Sequence, residues 1–152
     1  MTIGTDSAID FFGTQDALDD GSTSAIVDAA FSVAADITAW TNDDDAPMAS
    51  IVAFFDWAVA PDANSVVNVY VRLMNIDSTN DAETPDANYT HTYLGSLPIN
   101  DVTTNQYIAI DVSLPNTVTS QVYEFYFENK TGQTIQASWT CKITPKTIGP
   151  HA

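Results

Sequence analysis

Residues 121–143 read QVYEFYFENKTGQTIQASWTCKI, and their alternation decides the fold class. Tyr123, Phe125 and Phe127 fall on one side, against Glu124, Tyr126 and Glu128 on the other. After Asn129-Lys130-Thr131-Gly132 the pattern resumes. Ile135, Ala137, Trp139, Cys141 and Ile143 now oppose Thr134, Gln136, Ser138, Thr140 and Lys142. A period of two residues belongs to an extended strand with one buried and one wet face. A slip of one residue would expose every apolar side chain of the second run, so the register is well specified. Residues 129–132 read as a hairpin turn, with Gly132 at the position that needs a positive φ. Burying Trp139 or Phe125 is worth roughly 1.5–3 kcal/mol each.

The same period runs upstream. In residues 106–114 Ile108, Ile110, Val112 and Leu114 point inward, with Asp111 and Ser113 outward. In residues 66–74 Val67, Val69, Val71 and Leu73 oppose Asn68, Tyr70 and Arg72. Residues 48–59 are more uniformly apolar, with Ile51, Phe55 and Trp57 on one face and Val52 and Phe54 on the other. A helix competes there, but Pro47 and Pro61 bound the run, and its β-branched and aromatic content favours a strand. Shorter strands are read at residues 31–37 and 89–94, the latter followed by a Gly95-Ser96-Leu97-Pro98 turn.

Seven or eight such strands without a long helix predict an all-β fold: a single antiparallel β-sandwich of jelly-roll or Greek-key type over residues 25–148. Residues 1–24 are small, polar and acidic around Phe11 and Phe12. They read as an irregular N-terminal arm or extended segment, with a short helix over 6–12 or a disordered tail as alternatives. Residues 149–152 read as a C-terminal tail. The chain of 152 residues suits one domain.

Charge narrows the partners. Twenty acidic residues (17 Asp and 3 Glu) face four basic ones, for a formal net charge of -16. Arg72, Lys130, Lys142 and Lys146 are too few to neutralise a phosphate backbone, which excludes a nucleic-acid partner. Nor do they make a polybasic patch for anionic lipid, and no apolar stretch has the length of a membrane span. Cys141 is the single cysteine, so no internal disulfide forms. The N-terminus has no positively charged region followed by an apolar run, so a chain made and folded in a cytoplasm is expected.

Four constellations carry candidate chemistry. The acidic stretches 42–45 and 77–86 are rich in oxygen ligands of the kind calcium takes. The second departs from an EF-hand, with no Gly at the sixth position from Asp77 and Asn88 at the twelfth. Both are read as solvated loops. The length of loop 76–88 suits a contact surface. His91 and His151 have no zinc-type spacing to any partner, and there is no G-x-S-x-G segment for a nucleophile. Of the strand carboxylates, Glu124, Glu128 and Asp111 lie outward, and a glycosidase pair among them is the weakest point of a non-enzymatic reading. Trp40, Trp57, Tyr70, Tyr89, Tyr93 and Tyr126 offer a platform for sugar rings, against the plainer reading of core tryptophans and half-exposed tyrosines. Two glycosylation sequons, Asn88-Tyr89-Thr90 and Asn129-Lys130-Thr131, are read as coincidence. No catalytic, cofactor-binding or metal-ligating residue is assigned, and no cofactor.

Residues 123–149, YEFYFENKTGQTIQASWTCKITPKTIG, together with the Asp-, Asn- and Thr-rich style upstream, carry a resemblance. In character, over about residues 25–148, the chain resembles the jelly-roll capsid decoration (cement) proteins of tailed bacteriophages. No motif transfers a functional residue. The resemblance implies a virion structural protein that stabilises the phage head through protein–protein contacts, with the major capsid protein as partner. It also implies a homo-oligomer, with a trimer favoured, and synthesis in the host cytoplasm before assembly on the capsid surface. Residues 1–24 would then be an arm reaching a neighbouring subunit. The alternative is a carbohydrate-binding or receptor-binding β-sandwich module of the head-fibre type.

Overall fold

The structure, a computed structural model, describes residues 8–19, 23–77, 80–90 and 92–150. Its strands are β1 (Ala8–Phe12), β2 (Asp16–Asp19), β3 (Trp40–Thr41), β4 (Met48–Phe55), β5 (Val66–Met74), β6 (Tyr93–Pro98), β7 (Gln106–Ser113), β8 (Val122–Lys130) and β9 (Thr140–Pro150). The first sheet has the order β1-β9-β4-β7, with β2 also paired to β9, and the second has the order β3-β8-β5-β6. Every strand pairing is antiparallel.

The pairing order identifies the architecture. The chain pairs from its ends inward: β1 and β2 with β9, β3 with β8, β4 with β7, and β5 with β6. Rolling this nested ribbon places β4 beside β9 and β5 beside β8. That is a jelly roll, the double-sheet wrapping that hides most strand edges. The core between the sheets takes Ile51 and Phe55 from β4, Val67, Val69 and Val71 from β5, Phe125 and Phe127 from β8, and Cys141 and Ile143 from β9. Phe127 meets Phe55 at 5.9 Å and Trp139 at 5.4 Å, both edge-on, as ring quadrupoles favour.

Residues 66–74 and 106–113 form strands where alternation predicts them, and residues 48–55 are strand rather than helix. Other boundaries move. Residues 129–132 are not a hairpin turn, because β8 and β9 lie in different sheets and the chain crosses between them. Asn129 organises the crossing: its buried amide donates to the carbonyls of Ile26 (2.8 Å) and Gln133 (2.7 Å) and accepts from the Thr131 hydroxyl (2.7 Å). A fully bonded, buried amide is no glycosylation acceptor, so that sequon is inert. Gly132 does take a positive φ of 73°, and a Cβ there would lie 2.1 Å from an Asp62 carboxylate oxygen.

The strand read at 134–143 begins only at Thr140, because Ser138 turns the backbone to φ 71° and leaves Ala137 exposed. The strand read at 31–37 is likewise absent. Phe31 and Ser32 add to β8 for two residues, and the chain then enters a 3-10 turn at Ala34–Asp36 with Val33 exposed. The stretch read as the turn 95–98 is instead the body of β6. Gly95 serves close approach there, since a Cβ would sit 2.5 Å from Ile110 Cδ1 of β7. Finally, no helix forms over the described part of 6–12. Residues 8–12 and 16–19 are extended and pair with β9, and Leu18 enters the core. Gly149 and Pro150, read as tail, belong to β9. The rest of the tail, His151 and Ala152, lies outside the described residues.

Candidate binding surface

The two outward faces of the sandwich differ in kind. On the second sheet, β5 and β8 project Asn68, Tyr70, Arg72, Glu124, Tyr126 and Glu128 away from the core. Glu128 pairs with Lys130 at 2.7 Å and accepts from Asn68 Nδ2 (2.9 Å) and the Tyr70 hydroxyl (3.2 Å). Burial alone would raise its pKa, but these three donors outweigh it and hold the carboxyl below its ordinary value. Tyr70 moves the other way, pushed up by burial and by the charge of Glu128. Arg72 donates to Glu124 at 3.0 Å and to the Ala82 carbonyl at 2.9 Å, and it lies 3.7 Å from Asp81. Tyr126 also donates to Glu124, at 3.0 Å.

Arg72 thereby straps the acidic segment across this face, and the Ala82 amide reinforces it by donating to the Leu73 carbonyl (2.8 Å). The aspartates of the segment bond their own backbone. Asp77 accepts from the Asn80 amide, Asp81 from Asn75 and Asp86 from Asn88. This is the turn chemistry that suits Asp. At the other end the Phe31 ring lies 5.3 Å from Tyr70. Tyr126 and Glu128, which alternation assigns to a wet face, are therefore enclosed.

The first sheet has no such cover among the described residues. Its outward side chains include Asp10 and Phe12 from β1, Ala17 from β2, Ser50, Val52 and Phe54 from β4, Tyr107 and Asp111 from β7, and Thr140, Lys142, Lys146 and Ile148 from β9. Phe12, Tyr107 and Ile148 are 61%, 76% and 56% exposed. At the centre Lys146 bonds Asp111 at 2.7 Å, lies 3.4 Å from Asp10 and sits 5.6 Å from the Phe12 ring centroid. Ser50 donates to the same Asp111 at 2.5 Å. The Lys146 and Ser50 hydrogen bonds hold Asp111 below the usual carboxylate range, and Asp111 in turn raises Lys146. Phe54 and Tyr107 form a tilted ring pair, 4.9 Å between centroids, beside a groove of about 570 Å³.

The aromatic platform expected from the sequence is thus dispersed. Trp40 and Trp57 are core residues, and their indole N–H groups bond Asp16 (2.9 Å) and Thr131 (3.2 Å). Tyr70 and Tyr126 are enclosed, Tyr89 is half-buried, and only Tyr93 of that set is well exposed. The exposed aromatic residues of the first sheet, Phe12 at one end and Tyr107 beside half-buried Phe54 at the other, escaped the sequence reading. For Tyr107 a signal existed: it is a large ring on the wet side of the 106–114 alternation, in line with Asp111 and Ser113.

The strand carboxylates make no glycosidase pair. Glu124 and Glu128 stand four residues apart on one strand, about 13 Å at strand rise. That exceeds the roughly 5–9.5 Å of the retaining and inverting geometries. Asp111 belongs to the other sheet. In the 42–45 stretch Asn42 is buried against the Ala46 carbonyl (2.9 Å), and Asp45 accepts from the Ser120 amide (2.7 Å). Among the described residues no three His, Cys, Asp or Glu side chains group as a cation set. His91 and His151 lie outside the described residues.

No family model matches the chain, and no curated protein matches it in sequence. Solved structures with similar backbones include the CBM35 from Cellvibrio japonicus Abf62, at 12% identity and a TM-score of 0.42, covering 96% of this chain and 99% of that one. The turnip yellow mosaic virus protein aligns at 12% identity and a TM-score of 0.34, covering 98% and 82%. A family 35 carbohydrate binding module from Clostridium thermocellum aligns at 13% identity and a TM-score of 0.30, covering 90% of each. The jelly-roll assignment rests on the strand pairing of the chain itself.

Proposed function

We propose that this chain is a non-enzymatic structural protein of a virus particle, a decoration protein held on the capsid surface by protein–protein contacts. The observation that carries the reading is the asymmetry of the sandwich. One outward face is closed by a strap and an ionic network, while the other presents Phe12 and Ile148 to solvent on neighbouring strands. Large apolar side chains gathered on one face mark an interaction surface. The major capsid protein is the proposed partner, and a homo-oligomer, with a trimer favoured, is the proposed assembly. A surface charge of the size the composition gives keeps such a protein soluble before it docks. The test has two arms. Mass spectrometry of purified particles should find the chain, and particles stripped of it should rebind the wild-type protein but not a Phe12→Ser, Ile148→Ser double variant. Absence from particles ends the proposal.

A second reading, a carbohydrate-binding module, is favoured by one observation: the Tyr107 ring is exposed, paired with half-buried Phe54, and neither belongs to the core. Binding of any glycan on an array, by the intact protein, tests it.

A further inference from the structure

The bare face has two unlike ends. Phe12 pairs in register with Lys146 on β9, whereas Tyr107 stands opposite Phe54, and Phe54 opposite Thr140 on β9. Six residues of β9 separate the two levels, about 20 Å along the strand. The Tyr107 end is therefore a separate feature, and it is a groove rather than a flat patch. Its walls are Val52, Phe54 and Tyr107 on one side, with Gln15, Asp19, Thr140 and Lys142 completing it.

We propose that this groove binds a neutral saccharide, seated on the Tyr107 ring. This deepens the carbohydrate reading above and rests on it. The lining has the chemical composition that a sugar requires. A sugar ring offers an apolar C–H face and a rim of hydroxyls that both donate and accept. Tyr107 supplies an exposed aromatic face, flanked by its cross-strand neighbour Phe54 at 4.9 Å, which limits its reorientation on binding. Around it stand the Gln15 amide, the Thr140 hydroxyl and the Lys142 ammonium, which cover both hydrogen-bonding senses. The volume of about 570 Å³ falls within the range of small-molecule sites.

Charge favours a neutral ligand. Arg72, Lys130 and Lys146 are each paired to carboxylates, whereas Lys142 has no carboxylate partner among the described residues and lies at this groove. Asp19, only 6% exposed, also lines the groove, so its lining carries one residue of each charge sign in a chain of net charge -16. A uronate or sialylated glycan would face the repulsion of the whole molecule, while a neutral one meets none. A protein ligand is the competing occupant of an exposed aromatic ring. The mixture of small polar groups close to one ring favours a sugar over an apolar side chain.

The test uses the intact protein against cello-, manno- and galacto-oligosaccharides, with uronate and sialylated oligosaccharides as the charged arm, read by calorimetry. Neutral members should bind. Tyr107→Ala should weaken binding about tenfold or more, while Tyr107→Phe retains it. Thermal unfolding of Tyr107→Ala should stay close to wild type, which separates lost contact from lost fold. Neutral-sugar binding that survives Tyr107→Ala overturns the groove but leaves the carbohydrate reading standing. Preference for the charged arm overturns the neutral class. Failure of every oligosaccharide to bind at millimolar concentration overturns both.

Discussion

The outward faces of the two sheets begin from similar sequence patterns and end as different surfaces. Both β8 and β7 alternate large apolar residues with polar and tyrosine positions, and on each strand a tyrosine points away from the core. Tyr126 on β8 is buried beside Thr84 and bonded to Glu124, whereas Tyr107 on β7 is the most exposed of the large apolar and aromatic side chains described. The difference lies in what the chain lays over each sheet. Arg72 gives the second sheet an anchor for its strap, and the first sheet has no equivalent among its described residues. A covered face contributes stability, and a bare one is available for contact.

Substitutions at the paired tyrosines should break this comparison most visibly. Tyr126→Ala removes an enclosed ring and leaves Glu124 short of a donor, so a loss of about 3 kcal/mol is expected in denaturant unfolding. Tyr107→Ala should stay within about 0.5 kcal/mol of wild type. Equal losses would mean that the two faces are not functionally distinct.

Releasing the strap is the next largest effect. Arg72→Met removes the donor to Ala82 and leaves Glu124, only 17% exposed, without its cation, at a cost of about 2 kcal/mol. Limited proteolysis should then cut within residues 75–90 well before the wild-type chain is cut there. Unchanged cleavage would show that the segment is held by other contacts.

Acid sharpens the contrast through two carboxylates whose folded pKa values are lowered, Glu128 on the covered face and Asp111 on the bare one. For a lowered carboxylate the stabilisation is present above the unfolded pKa and is lost as pH falls through the folded one. Stability should therefore fall on acidification below roughly pH 4.5, where unperturbed carboxylates begin to protonate. Glu128→Gln should flatten that fall more than Asp111→Asn, because Asp111 is 52% exposed and its pairing with Lys146 is screened by solvent and salt. The smallest effect is expected for Phe12→Ser: a change in unfolding free energy of about 0.5 kcal/mol or less, with loss of attachment to particles only when combined with Ile148→Ser.

Much of the fold was legible because alternation reports on a local requirement, one apolar face per strand. Residues 66–74 and 106–113 satisfy it without interruption and fall where expected. The misreadings come where chain direction overrode pattern. Ala137 fits the alternation of 134–143, yet the left-handed Ser138 lifts it to the surface as the chain turns into the first sheet. Gly95 and Pro98 look like turn residues, but Gly95 sits in β6 because the neighbouring Ile110 leaves no room for a side chain. The candidate surface was less legible still. Burial of Trp40, Tyr70 and Tyr126 depends on Phe31, Asp16 and the strap, none of which is near them in sequence.

The amino-acid sequence by itself determined the β class, the inward residues of the central strands and the positive φ at Gly132, since each follows from short-range sterics or a two-residue period. It also determined the excess of negative charge. Only the tertiary structure decided the nested pairing that makes a jelly roll, the recruitment of residues 8–19 into the first sheet and the crossing at 129–139. It alone decided which outward face is covered. Those outcomes depend on which distant backbone edges and side chains meet, as when the Arg72 guanidinium reaches Ala82, and no local period encodes such meetings.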